Sequence, residues 1–477
     1  MEAGSTSGAG YTNGAGSSEY KMLSYFARVN YTLMDRYLFE VNMRADASSR
    51  FHKDHRWGYF PSFSAGWRMS EESFMKDIEW INNLKIRASY GTLGNINNVG
   101  NYDYFQNYSS GNHYNFSDSP VIGIGESKPA NETLGWEKVA LTDIGLDFDI
   151  FNGLLGVTAD YYIKNTSDIL LGYNVPTETG ITAAPSQNIG KVKNTGFELA
   201  LNHRNKIGAV NYSIGANIAT NKNKITNLGG SDNIIQTSSY IVKYILKKGE
   251  SIGSFYGFKT DGLYTQADID AGHYYTLSGV VPNAGDIKFV PQRDIEYKQE
   301  ITDEDRTILG KDVPDFTYGV NLSLQYKGFE FSMFGQGISG TKVAFDVYGV
   351  HPFYHGQDSP RKYHLKRWTE ENPNPHAAYP RIYSASSVHT TYNRNFSDYH
   401  LFDSDYFRFK TLSLGYTVPS ATVKNWGLQS LKVYVTGENL FTVRADKKME
   451  DFDPETAGGV IYTLGTKSVA FGVNISF

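Results

Sequence analysis

Aromatic side chains crowd two stretches of the chain that carry no regular hydrophobic period. Tyr102, Tyr104, Phe105, Tyr108, Tyr114 and Phe116 form one group, and Tyr348, Phe353 and Tyr354 form another. Aromatic faces stack on the apolar faces of sugar rings, and neighbouring Asn, Asp and Gln residues can bond hydroxyls. The same groups serve peptides, and they also pack loops against one another. The clusters, rather than single residues, are therefore the ligand-binding candidates. His351, His355 and His364, within HPFYHGQDSPRKYH, could supply imidazoles to a metal. A spacing of four brings two of them together only on a helix, and Pro352 and Gly356 mark a loop instead. Polar loop residues facing a ligand vestibule are the expectation. Asp303, Glu304 and Asp305 could offer oxygens to a hard cation, but the alternating Asp/Asn pattern of a calcium loop is missing. A solvated acidic turn is expected there. No Ser–His–Asp grouping, phosphate loop or metal motif stands out, so neither an enzyme nor a metal or cofactor site is expected.

The elements that would position these residues follow from composition and period. The chain has 477 residues, no cysteine and a net charge of −5. That excludes disulfide scaffolds, thiol catalysis and Cys-ligated metals, and it removes the basic surface that nucleic-acid binding needs. No apolar run approaches the ~20 residues of a spanning helix. Alternation dominates instead. Val469, Phe471, Val473, Ile475 and Phe477 alternate with Ser468, Ala470, Gly472, Asn474 and Ser476, and the segments around 37–43, 155–163, 210–218 and 316–326 do the same. One face of each is apolar and the other wet. Thirteen strands are expected, over 20–33, 37–48, 58–68, 84–94, 139–150, 154–164, 192–204, 210–221, 316–326, 329–340, 406–418, 431–440 and 467–477. Most reach the ~9–11 residues of a tilted membrane-spanning strand, against ~5–6 in soluble sheets. Aromatics at the run ends, such as Trp67, Phe148, Tyr326 and Tyr416, suit interfacial girdles.

Connections alternate in length. Short joins fall at 34–36, 69–83, 152–153, 205–209, 327–328 and 419–430, and long ones at 95–138, 165–191, 222–315, 341–405 and 441–466. Short periplasmic turns and long outer loops are the habit of outer-membrane barrels. The expected fold is therefore all-β, a transmembrane antiparallel β-barrel, with residues 1–19 a flexible Gly/Ser-rich outer-loop segment. Thirteen antiparallel strands cannot close, and two open edges in lipid would cost on the order of tens of kcal/mol. Residues 1–19 also lack the apolar stretch of a secretory signal. A carboxy-terminal piece of something longer is the expectation.

Ordered segments carry a family resemblance. YLFEVNMRADASSRFHKDHRWGYFPSFSAGW (37–67), INNLKIRASYGTLGN (81–95), GWEKVALTDIGLDFDIFNG (135–153), NIGKVKNTGFELALNHRN (188–205) and SFYGFKTDGLY (254–264) come first. ITDEDRTILGKDVPDFTYGVNLSLQYKGFEFSMFGQG (301–337), RWTEENPNPHAAYPRI (367–382), LFDSDYFRFKTLSLGYTVP (401–419) and LKVYVTGENLF (431–441) follow. Together they resemble the SusC/RagA family of TonB-dependent outer-membrane transporters. The resemblance implies a barrel of about 22 strands plugged by an amino-terminal domain, capped by a SusD-like surface lipoprotein and energised by the TonB–ExbB–ExbD complex. This chain would supply about thirteen of those strands and no plug. The implied activity is energy-coupled import of oligosaccharides or oligopeptides, and the implied location is the outer membrane and its lipid. Phe477 resembles the terminal aromatic read by the barrel-assembly machinery. Many relatives carry an Asp/Asn/Gly-rich, calcium-loop-like stretch before the ITDEDR segment, where this chain has Pro291, Gln292 and Arg293. Glu40, Arg44, Asp46, Lys85, Arg87, Asp147, Asp160, Glu198, Glu330 and Glu438 should face a plug or a wet channel. Arg408 and Lys410 share the parity of Leu412 and Leu414, so they should sit above the lipid or beyond a bulge. Two rivals stand beside this reading: a passive porin, and a secreted β-rich glycan-binding protein or glycosidase.

Overall fold

The computed structural model describes residues 17–116, 119–172, 186–237, 241–344, 351–353, 360, 362–448, 452–455 and 465–477. Thirteen long strands succeed one another in a single sheet. They are β1 (Met22–Leu33), β2 (Tyr37–Ser48), β3 (Trp57–Arg68), β4 (Ile81–Asn95), β5 (Glu137–Ile150), β6 (Leu155–Gly172) and β7 (Ser186–Ile207). Then come β8 (Val210–Thr220), β9 (Phe316–Tyr326), β10 (Phe329–Ser339), β11 (Tyr406–Thr417), β12 (Ser430–Arg444) and β13 (Ser468–Ser476). Each pairs with its neighbour in this order, and a fourteenth strand, Lys222–Leu228, pairs with β7. The order is a plain meander, each strand pairing with the one before it whether the connection between them is short or long. The tightest turns take the primed conformation that suits twisted hairpins: Met34 and Asp35 have φ of 53° and 58°, and Lys327 and Gly328 have 46° and 88°.

Several strands outrun their expected ends. β6 continues to Gly172 and β7 begins at Ser186, where the sequence pattern suggested 164 and 192. Side chains carry these extensions. Asn188 Nδ2 donates to the carbonyls of Gly135 and Asp168 at 2.9 and 2.8 Å, and the Leu170 N–H donates to Glu137 at 3.2 Å.

Internal packing divides the chain into two compact units, residues 1–67, 87–143 and 164–192, and residues 68–86, 144–163 and 193–477. In the first, a small core of Phe51, Phe60, Val99, Leu134 and Trp136 sits where the loop after β4 meets β3. That loop also carries a hairpin, Asn107–Phe116 with Ser119–Lys128. In the second unit, the segments between β8 and β9 and between β10 and β11 fold into one cap with its own cores. One core gathers Phe258, Leu263, Ile287, Phe289, Ile301, Trp368 and Tyr392, and another Val242, Phe255, Phe396 and Leu401. The two loops exchange backbone bonds: Phe258 N to Phe396 O at 3.0 Å, Leu263 N to Pro375 O at 2.8 Å, and Arg381 N to Gly285 O at 2.9 Å. These segments were expected as loops. They are folded because their apolar residues meet across the loop pair rather than within either loop.

The faces of the sheet follow the pattern. Across β10, β11, β12 and β13, Phe331, Leu414, Val435 and Phe471 lie in one row. Glu330, Gly415, Tyr434 and Gly472 lie in the adjacent row, on the other face. The β11 register shifts between Phe409 and Thr411, leaving Lys410 as the extra residue. Beyond that bulge Arg408 faces Gln336 and Thr442, on the polar side.

Candidate ligand cavity on the polar face

Strands β1 to β3 place three polar rows side by side in the first unit. Ser24 lies opposite Asp46, Arg28 opposite Asn42 and then Ser62, and Asn30 opposite Glu40 and then Ser64. Arg28 binds Asn42 Oδ1 at 2.7 Å and Glu40 at 3.0 Å, and Arg44 Nε meets Asp46 Oδ2 at 2.6 Å. Above these rows lies a cavity of about 850 Å³ whose lining includes Glu40, Asn42, Arg44, Asp46, Arg50, Ser62, Ser64, Ser89, Asn95 and Trp136. Asp46 is 5% exposed, and its Oδ1 has no hydrogen-bond partner. Such an acceptor favours a donor supplied by a ligand hydroxyl, amide or ammonium.

The walls are fixed from outside the sheet. Trp136 is held edge-on by Phe60 at 5.5 Å, and its Nε1 donates to Arg56 O at 2.9 Å. Arg50 donates to Asn101 Oδ1 at 2.9 Å and to Ile96 O at 3.2 Å, with the Tyr20 ring stacked 4.6 Å away. Gly91 is obligatory in this wall, because a Cβ there would come 2.9 Å from Ser62 Cβ. The cavity thus combines fixed amides, hydroxyls and paired charges with an aromatic flank, which suits a polar, extended ligand. Parity placed Glu40, Arg44 and Asp46 on the polar face in the sequence. Arg50, Asn95 and Trp136 lie at strand ends or in loops, and no period could have gathered them.

The first aromatic group divides. Tyr104 packs against the Phe51 and Trp136 core and lies 4.3 Å from Phe105. Tyr102, Phe105 and Tyr108 are exposed, and Tyr102 Oη accepts the Glu19 N–H at 3.2 Å. Tyr114 and Phe116 sit on the hairpin strand Asn107–Phe116, their side chains outside the described residues, as are Tyr348, Tyr354 and His355. Phe353 is exposed, with φ of 60°. Phe477 follows β13 and is exposed.

Two expectations need correction. His351 and His364 do not face a vestibule. They are buried in the cap with His400, His351 lying 5.4 Å from His400 and His364 4.6 Å from Tyr379. Their rings supply apolar faces to a tightly packed loop core, which the polar reading of histidine overlooked. Nor is the acidic turn solvated throughout. Asp303 and Glu304 are exposed, but Asp305 is fully buried. It accepts from the backbone of Gln292, Arg293 and Thr302, each at 3.0 Å, and from Arg293 Nη2 at 2.7 Å. Burial raises its pKa, but these donors, Arg293 foremost, outweigh it and hold the carboxyl at about 2.

Several polar-face charges elsewhere are also mated. Lys85 meets Asp147 at 3.8 Å, Arg87 meets Asp143 at 3.3 Å, and Lys432 pairs with Glu330. Arg408, 4% exposed, binds Asp453 at 2.6 Å, Glu455 at 2.8 Å and Thr442 Oγ1 at 2.9 Å.

A family profile described as TonB dependent receptor-like, beta-barrel matches residues 2–440. The chain belongs to the TonB-dependent receptor β-barrel family. It is 32% identical over 431 residues to TonB-dependent receptor P3 of Formosa agariphila, covering 89% of this chain and 41% of that protein. It is 29% identical over 467 residues to TonB-dependent receptor SusC of Bacteroides thetaiotaomicron, covering 95% of this chain and 43% of that one. Among solved structures, the RagAB peptide transporter superposes with a TM-score of 0.74 at 25% identity, over 96% of this chain and 48% of that one. The chain therefore spans less than half the length of the relatives it matches. The SusC/RagA resemblance, the all-β barrel fold and an outer-membrane location are thereby established.

Proposed function

We propose that this chain is barrel wall and outer loops of a TonB-dependent importer of oligosaccharides or oligopeptides. The carrying observation is the pairing of an apolar face of membrane-length strands with a polar face that holds the 850 Å³ cavity. A transporter, rather than an enzyme, accounts for paired charges along a wet face. The exposed aromatics Tyr102, Phe105 and Tyr108, with Tyr104 behind them, would guide ligand at the outer rim. The remaining strands of a longer protein would pair with the edges at β1 and β13, and a plug in that protein would meet TonB–ExbB–ExbD. The folded cap offers the support that a SusD-like lipoprotein would need, and Phe477 would present the assembly signal.

The test is uptake of labelled oligosaccharides and oligopeptides by the source cells. Deleting the gene, or removing TonB, is expected to abolish uptake of one class. Uptake that persists without TonB would favour the passive porin, and full uptake without the gene would overturn the proposal.

A further inference from the structure

The last outer loop sends a short segment, residues 452–455, back onto the polar face of the sheet. Phe452 is buried against Phe402, their ring centroids 5.5 Å apart. Asp453 and Glu455 then reach the row that Gln336 of β10 and Arg408 of β11 share. Asp453 Oδ1 accepts from Arg408 Nη2 at 2.6 Å. Glu455 accepts from Arg408 and Lys410, each at 2.8 Å, from Tyr406 Oη at 3.1 Å and from Gln336 Nε2 at 3.2 Å. Burial raises both carboxyls, but these donors outweigh it and hold them below their ordinary range. Pro454 and Glu455 also wall a pocket of about 440 Å³, whose other walls include Tyr244 and Phe255 of the cap and Gln336 and Tyr406 of the sheet.

The other mated charges on this face are built differently. Lys85–Asp147, Arg87–Asp143 and Lys432–Glu330 each join two sheet strands. Here every side-chain donor stands on the sheet, and both acids come from the loop. The sheet thus carries a dicationic cradle of its own, and the loop fills it. Departure of the loop alone would strand two cations, one of them on a residue 4% exposed. Hydroxyls could accept from both, but only an anion restores the charge that the loop takes away, with the stronger charge-assisted bonds. We infer that residues 452–455 are a latch seated in a sheet-borne anion site, and that a ligand bearing a carboxylate or sulfate group displaces them to reach the wet face. The inference rests on the import reading only for the side from which the ligand arrives.

The test places a cysteine at Pro454, which is buried in the latch, in the full-length protein of the source cells. Labelling by a water-soluble maleimide is followed in isolated outer membranes at constant ionic strength. Trigalacturonate and N-acetylated triglutamate should speed labelling about tenfold, while maltotetraose and the N-acetylated amide of trialanine leave it slow. A response to one acidic probe alone supports the latch and assigns the anion to a glycan or a peptide. Adding Glu455→Gln, which loosens the latch from the loop side, should speed labelling about tenfold without any ligand, with the heat-modifiable barrel retained. Equal acceleration by acidic and neutral probes, or labelling indifferent to all four, would overturn the inference. Acid-triggered labelling by a probe that the cells do not take up would sink the import reading and leave the latch standing.

Discussion

Asp305 shows what a single side chain can organise. Three backbone N–H groups and a guanidinium converge on it, so Asp305→Ala would leave several buried donors unmatched, each costing about 1–3 kcal/mol. Faster limited proteolysis between residues 290 and 306 is the expected readout. Proteolysis unchanged from wild type would show that these donors find other partners. The folded pKa of about 2 lies below the ordinary 3.8. The contribution is therefore complete above pH 3.8 and is lost as pH falls from there through 2. The sequence displayed the Asp–Glu–Asp run but not its inversion, in which the last carboxylate is buried beneath Arg293. That depends on a contact twelve residues away along the chain. Arg408 was more legible, because its parity conflicted with Leu412 and Leu414, and the conflict is resolved by the bulge at Lys410. Its acidic partners Asp453 and Glu455 lie beyond any local signal.

The cap is the element whose order the sequence concealed. Its strands are two to five residues long, too short for a period, and its cores assemble from two loops separated by β9 and β10. Gly257 marks the seam: a Cβ there would lie 2.5 Å from Phe396 O. Gly257→Ala should therefore separate the loops at a cost of about 1–3 kcal/mol. Hydrogen exchange at the Phe258 and Asp398 amides, which bond across that seam, would report it, and unchanged protection would contradict it. The buried histidines predict a pH response. Burial, with Lys448 adding to it, holds His400 at about 4, and burial with His400, Arg394 and His364 holds His351 well below 6.5. Both folded values are depressed, so the unfolded chain binds more protons between about 4 and 6.5. Stability of the cap is full above pH 6.5 and falls toward pH 4, His400 alone contributing roughly 3 kcal/mol. Thermal melts at pH 7 and pH 4.5 would check this, and identical midpoints would contradict it.

At the scale of the whole chain, alternation made the fold legible. The thirteen sheet strands stand in the expected order because period two is a local property that survives any loop between strands. What no period could encode is how the cavity is completed, since Asn95 and Trp136 reach it from a strand end and a loop edge while parity placed only residues such as Asp46. Leu414 sits in the apolar row with Phe331 and Val435, so Leu414→Arg should cost about 2–4 kcal/mol at mid-membrane. Ser413→Arg, one residue away on the polar face, should be tolerated, with the yield of heat-modifiable barrel as the measure. Equal yields from the two variants would contradict the assignment of faces.

The most direct test of a membrane wall uses the absence of native cysteine. Single cysteines are placed in turn at positions 329 to 336 of β10 in intact outer membranes and exposed to a water-soluble maleimide. Labelling should alternate, strong at 330, 332, 334 and 336 and weak at 329, 331, 333 and 335. Uniform labelling, or alternation that vanishes in membranes but not in detergent, would contradict a sheet with lipid on one face and water on the other.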